Sequence, residues 1–201
     1  FRARYLLFTP KAYSAAFTGQ ETYDSSARGE RSQNGYLLAC FDVLLDEKGR
    51  LASGKRIRED EEARGTKWYA YVETPNPSPW YNNQTYVNTL DKKAIDKFIE
   101  ITYEAYLKKV GDEFGKTIPS IFTDEPQFAP KNTLNFATEQ KDVFMPWTFA
   151  LPELYKQQYG EDLLDRIPEL LWELPDGNLS RARWRFQNLV TDVFVANYCR
   201  Q

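Results

Sequence analysis

The chain has 201 residues, 42% of them hydrophobic and 27% charged, with 26 Lys and Arg against 29 Asp and Glu and a net charge of −3. That is enough apolar matter for a buried core, and the acidic balance excludes a polyanion-binding surface of clustered Lys and Arg, so neither DNA nor RNA is an expected partner. No run reaches the roughly 18 apolar residues of a membrane helix, and FRARYLLFTP lacks the long apolar centre of a secretory leader, so no membrane partner is expected and the compartment leans to the cytoplasm.

The complete lack of histidine removes His-based triads, His-ligated zinc and imidazole acid-base chemistry from this segment. Proton transfer falls to carboxylates, tyrosines or lysines. Cys40 and Cys199 lie too far apart in sequence for a metal-ligand spacing or a small disulfide framework, and read as two buried free thiols. The chain opens on Phe1 and closes inside a helical pattern, which suggests a piece of something longer.

In chain order, TGQETYDSSARGERSQNG has the Gly, Ser and polar content of an exposed loop. YLLACFDVLL, a turn at Lys48 and Gly49, and LASGKRI then predict a β-hairpin. REDEEARG reads as a solvated connection or short helix. KWYAYVETP is aromatic and β-branched without helical period and is ended by prolines, so it predicts a buried strand. NPSPWYNNQTYVNTL follows as a long loop carrying Trp80, Tyr81 and Tyr86.

From Asp91 the period changes: Ile95, Phe98, Ile99, Thr102, Tyr103, Tyr106, Leu107 and Val110 recur at three- and four-residue spacing, which predicts an amphipathic helix ending near Gly111. IPSIFT then predicts a strand covered on both faces. Strand, helix and strand make a βαβ unit with a parallel pair. QFAPKNTLNFATEQKDVFMPWTF is long and aperiodic, and its aromatic content points to function rather than disorder. PELYKQQYG and 179–201 predict two further helices, the second with Trp184, Leu189, Val193 and Asn197 on one stripe.

In a parallel α/β architecture, residues just past a strand's C-terminus face the substrate. Asp124 and Glu125 hold that place after IPSIFT, and Glu73 holds it near the end of KWYAYVETP. Clustered carboxylates without histidine suit glycoside hydrolysis, with a proton donor and a base or nucleophile about 5 to 9.5 Å apart, or the binding of a hard cation such as calcium. Sugar rings offer apolar faces, so Trp68, Trp80, Tyr81 and Trp147 beside acidic strand ends favour a saccharide cleft over a bare metal site. Asn82 and Asn83 on the Trp80 loop are candidate hydrogen-bonders for sugar hydroxyls. Asn83-Gln84-Thr85 and Asn178-Leu179-Ser180 also match the glycosylation sequon.

The blocks KWYAYVETPNPSPWYNNQTYVNTLDKKAIDKFIE, FGKTIPSIFTDEP and PWTFALPELYKQQYGEDL together resemble a large, mostly uncharacterised group of TIM-barrel glycoside hydrolases that stands alongside α-L-rhamnosidases and β-galactosidases. The resemblance covers nearly the whole chain. It implies an α/β fold in which 67–201 are central βα units of a partial TIM barrel, 1–66 are an insertion with a β-hairpin packed on it, and the remainder of the parent barrel lies outside the segment. It further implies Glu125 as general acid/base, with the partner carboxylate either at Glu73 or outside the chain; in the latter case the segment alone is inactive. Two other readings stay open: a non-catalytic carbohydrate-binding module using the aromatic loops, and a calcium-binding domain built on Asp124, Glu125 and Glu73.

Overall fold

The structure, a computed structural model, describes residues 1–12, 14–17, 30–31, 35–75, 77–129 and 131–200. Most of the polar loop expected before Tyr36 lies outside them. Among the described residues seven strands and four α-helices are formed: β1 Tyr5–Thr9, β2 Ser14–Phe17, β3 Glu30–Arg31, β4 Tyr36–Leu45, β5 Leu51–Ile57, β6 Thr66–Glu73, α1 Lys92–Ile101, α2 Tyr103–Val110, β7 Val143–Pro146, α3 Leu151–Tyr159 and α4 Arg181–Tyr198.

Five strands make one open sheet in the order β5-β4-β6-β1-β7, every neighbouring pair antiparallel. β2 and β3 form a separate parallel pair. This corrects the partial TIM barrel: a barrel needs consecutive parallel strands, and here β6 runs antiparallel to both of its partners, β4 and β1. The sheet takes β1, β4 and β5 from before residue 66 and β6 and β7 from after it.

The expected hairpin is present as β4 and β5, with Phe41 opposite Arg56 and Val43 opposite Gly54. Asp46 sets its turn by accepting from the Lys48 and Arg50 amides, both at 2.9 Å, and Gly49 supplies the left-handed residue at φ 76°. REDEEARG is a non-helical connection. The βαβ unit is absent, because IPSIFT is not a strand: 119–125 are exposed and unpaired, with Ile121 61% and Phe122 84% accessible. Four strands arise that no segment of the sequence was expected to form, β2 and β3 among them; the other two, β1 from YLLFT and β7 from VFMP, pair with each other along Leu6–Met145 and Leu7–Phe144.

Period two sorts the strands onto two faces. Leu6, Phe8, Phe41, Trp68, Ala70, Val72, Val143 and Met145 point to the larger core, which α3 closes with Leu151 and Tyr155 and α4 with Ala182, Phe186, Leu189 and Val190. At its centre Trp68 stacks on Phe8 at 5.0 Å and meets Trp172 edge-on at 5.2 Å. The other face carries Tyr5, Leu7, Tyr71 and Phe144 in a smaller cluster.

α1 and α4 start at capping side chains. Asp91 accepts from the Lys93 amide and Ser180 from the Ala182 amide, satisfying first-turn donors of α1 and α4. Left-handed Gly160 ends α3. The expected amphipathic helix from Asp91 is broken at Thr102 into α1 and α2, and it buries only Ala94 and Ile95, while Tyr106 and Leu107 stand in solvent. Along α4 the buried stripe runs through Phe186, Leu189 and Asn197, and Trp184 lies off it, 65% exposed. No helix among the described residues is long and apolar enough to cross a membrane.

Candidate functional site

The end of the sheet where β6 and β7 finish gathers most of the residues that the sequence singles out. Tyr5, at the start of β1, pairs with Glu73 on one side and Pro146 on the other, which sets the ends of β6 and β7 level. The strand preceding Tyr5 continues the arrangement, with the Ala3 amide donating to the Tyr86 carbonyl at 2.8 Å and the Asn88 amide to the Phe1 carbonyl at 2.9 Å. The loop following β6 is thereby held against the N-terminal strand.

That loop begins with a short turn of 3-10 helix at Pro79–Tyr81, capped by Ser78, whose hydroxyl accepts from the Trp80 amide at 3.2 Å. Asn82 and Asn83 both take left-handed backbone, at φ 54° and 56°, a conformation asparagine tolerates better than most residues. The chain reverses there, and the Ser78 amide donates to the Gln84 carbonyl at 3.0 Å. The consequence is a tip that holds Trp80 out, 87% exposed, with both asparagine side chains in solvent. Tyr81 packs beneath on Tyr86, ring centroids 5.3 Å apart.

Tyr86 joins this loop to the acidic one. Burial pushes its hydroxyl above the ordinary tyrosine range, opposed by a hydrogen bond with the Gln127 backbone. The Thr89 hydroxyl donates to the Gln127 carbonyl at 2.7 Å, and Asn197 of α4 donates to the Thr89 carbonyl at 2.9 Å. Glu125 stands two residues before this anchor. Its backbone is left-handed at φ 37° immediately before Pro126, and a residue preceding proline ordinarily favours extended backbone. Asp124 and Glu125 are both exposed. A left-handed residue breaks the strict alternation of side chains, so the two carboxylates need not point opposite ways.

Glu73 is placed differently. It is 0% exposed, on the same face of β6 as Tyr71, whereas Asp124 and Glu125 are exposed. The structure therefore does not gather the three acids into one open cleft, and among the described residues no group of three or more potential metal ligands forms. Trp68 and Trp147 are core residues, 2% and 1% exposed, and offer no ring face to a ligand. Of the four aromatics expected to meet a sugar, Trp80 alone is open, with Tyr81 half-buried beside it.

Sequence reasoning overlooked a polar and aromatic cluster beside Thr74. Arg4 donates to the Thr74 hydroxyl at 2.9 Å and lies 5.0 Å over the Phe149 ring, while Tyr36 stacks nearly parallel on Phe149 at 6.1 Å. Phe149 remains 55% exposed. Burial raises the Tyr36 hydroxyl above its usual range and the Arg4 charge pulls it back. These residues come from four separate parts of the chain, and no local pattern announces their meeting. The chain matches no protein-family profile, no curated protein and no solved structure.

Proposed function

We propose that this sheet end handles saccharides, and that Glu125 is the carboxyl that protonates the leaving oxygen in glycoside hydrolysis. One observation carries the reading: an exposed Trp80 at a loop tip with two neighbouring amides, and a backbone-strained, exposed Glu125, sit on separate loops that are both fastened to Tyr86. A tryptophan face stacks on the C–H face of a sugar, and amides pair with its hydroxyls. Backbone strain held at a solvent-exposed acid is more often found at working residues than at bland turns.

In this reading the glycosidic C–O bond breaks as the Glu125 proton passes to the leaving oxygen. Water then supplies the new oxygen at the anomeric carbon and gives up its proton to the Asp124 carboxylate, and exchange with solvent returns a proton to Glu125. Asp124, exposed beside it, is the accessible second carboxylate; Glu73 is enclosed and supports the strand end. A second reading, saccharide binding without turnover, is favoured by the exposure of both acids, because a proton donor at neutral pH works best when water is excluded around it.

The test is a panel of 4-nitrophenyl glycosides, including α-L-rhamnoside and β-galactoside, assayed with the wild type and Glu125→Gln. Hydrolysis lost in the variant while saccharide binding persists supports the catalytic reading. Binding by the wild type with no hydrolysis of any member selects the second reading, and hydrolysis unchanged by Glu125→Gln removes Glu125 from the chemistry.

A further inference from the structure

The last helix carries large apolar side chains on two opposite sides. Ala182, Phe186, Leu189 and Val190 bury one side in the core, with Asn197 in line behind them. On the far side Arg181, Trp184, Asn188, Thr191, Val195 and Tyr198 follow one another at steps of three, four, three, four and three residues. That alternation is the 3.5-residue repeat of a seam between two paired helices. Trp184 is 65% exposed, Val195 49% and Tyr198 42%, so none of the described residues closes over this side.

What fits such a seam is decided by what each position finds opposite it. A second α4 running antiparallel, with Trp184 of one copy level with Val195 of the other, suits every position. The indole packs on the branched Val195 side chain. Asn188 falls opposite Thr191, whose hydroxyl donates to the Gln187 carbonyl at 2.9 Å and keeps its oxygen to accept from the Asn188 amide. Arg181 falls opposite Tyr198, a guanidinium over a ring. Flanking the seam, Arg185 falls opposite the exposed Asp192, twice by symmetry. Arg185 also donates through Nη1 to Glu161 at 2.6 Å, which fixes its guanidinium at this edge of the helix. Other pairings are worse. A parallel pair sets Arg181 against Arg181, and an antiparallel shift of seven residues sets Trp184 against Asn188 or beyond Tyr198.

We propose that the exposed face of α4 is a self-association surface, closed by the α4 of a second copy of this chain in antiparallel register. Its 18 residues give a seam about 27 Å long. One helix pair of that length buries less than the roughly 800 Å² per partner of a standard interface, so the dimer is weak and reversible. The saccharide reading is independent of it: Asn197, which holds Thr89, lies on the opposite side of α4.

Sedimentation equilibrium from about 10 µM to about 1 mM should show a monomer–dimer equilibrium with a Kd of about 0.1 mM. Trp184→Glu should weaken it at least about tenfold, and Asp192→Arg, which sets arginine against arginine, at least about fivefold. Leu107→Glu, at an exposed apolar residue of α2, should associate like the wild type. In the antiparallel pair the two Cys199 residues lie roughly 28 Å apart along the axis and the two Thr191 residues roughly 4.5 Å, at about 1.5 Å per residue. A short bismaleimide should therefore join copies of Thr191→Cys, made with Cys199→Ser, and leave the wild type unjoined. A monomer at every concentration, equal weakening by Leu107→Glu and Trp184→Glu, or cross-linking through Cys199 rather than position 191 overturns the proposal.

Discussion

Two tryptophans twelve residues apart in sequence should behave oppositely when removed, and the contrast tests the candidate site directly. Trp68 is 2% exposed, stacked on Phe8 and edge-on to Trp172, so Trp68→Ala opens a core cavity and should cost about 3 to 5 kcal/mol of folding stability. Trp80 is 87% exposed on a loop tip, so Trp80→Ala should move stability by less than about 0.5 kcal/mol. Binding reverses the order. A pyranose face covering roughly 80 Å² of the indole at about 25 cal/mol/Å² contributes about 2 kcal/mol, close to a 30-fold change in Kd. Urea denaturation measures the first quantity, and calorimetric titration with an oligosaccharide carrying the preferred glycoside measures the second. A fall in affinity below about threefold for Trp80→Ala, or a matching fall for folded Trp68→Ala, refutes the placement of the sugar on Trp80.

Three further outcomes follow from local geometry. Burial pushes the Cys40 thiol up to about 11 while Cys199 is exposed, so Ellman's reagent at pH 8 should titrate one thiol quickly in the native protein and two in guanidinium; two fast thiols would contradict the burial of Cys40. A side chain at Gly65 would place its Cβ 2.2 Å from the Val43 carbonyl oxygen and 2.7 Å from Leu44, so Gly65→Ala should destabilise by about 3 kcal/mol in urea denaturation, and a change under about 0.5 kcal/mol would show that the two strands do not approach as closely as described. Burial raises the Asp42 carboxyl, but hydrogen bonds from the Gly65 and Arg64 backbones and the Arg64 guanidinium outweigh it and hold the group low. The stabilisation is then complete above the unfolded carboxyl value near pH ~4 and is lost as pH falls through the lower folded value, so the stability gap between wild type and Asp42→Asn should close on acidification; a gap constant between pH 7 and pH 2 would show that Asp42 acts by packing alone.

What the sequence announced and what it hid divide along the reach of the forces concerned. The β4–β5 hairpin is written in a ten-residue strand, apolar but for Asp42, followed by a turn that Asp46 closes with its own side chain, and α1 and α4 are written in a cap followed by a three- and four-residue rhythm. Each of those signals acts within a few residues. Strand partnership does not: β6 lies between β4 and β1, and its pairing with YLLFT joins Tyr5 to Glu73 across most of the first third of the chain. IPSIFT shares the β-branched and aromatic residues of a strand but carries Pro119, and while YLLFT pairs with two strands, IPSIFT makes only an isolated bridge from Ile118 to Phe114, leaving Phe122 in water. A propensity for extended backbone is satisfied only where another strand offers its amides, and no reading of the segment alone can supply that strand.

The site shows the same division. Trp68 alternates with Ala70 and Val72 along a strand, so period two already places it on a buried face, whereas Trp80 follows two prolines and precedes two asparagines, a composition that makes a turn and turns its ring outward. Arg4, Tyr36, Thr74 and Phe149 meet only because β1, β4, β6 and β7 end at one level. The sheet register thus does for the site what it does for the core, assembling at one edge groups that are unremarkable where they stand in the chain. The position of Glu125 depends on the same edge, since its loop is fastened to Tyr86 and Thr89, and those residues are fixed in turn by the strand that leads into Tyr5.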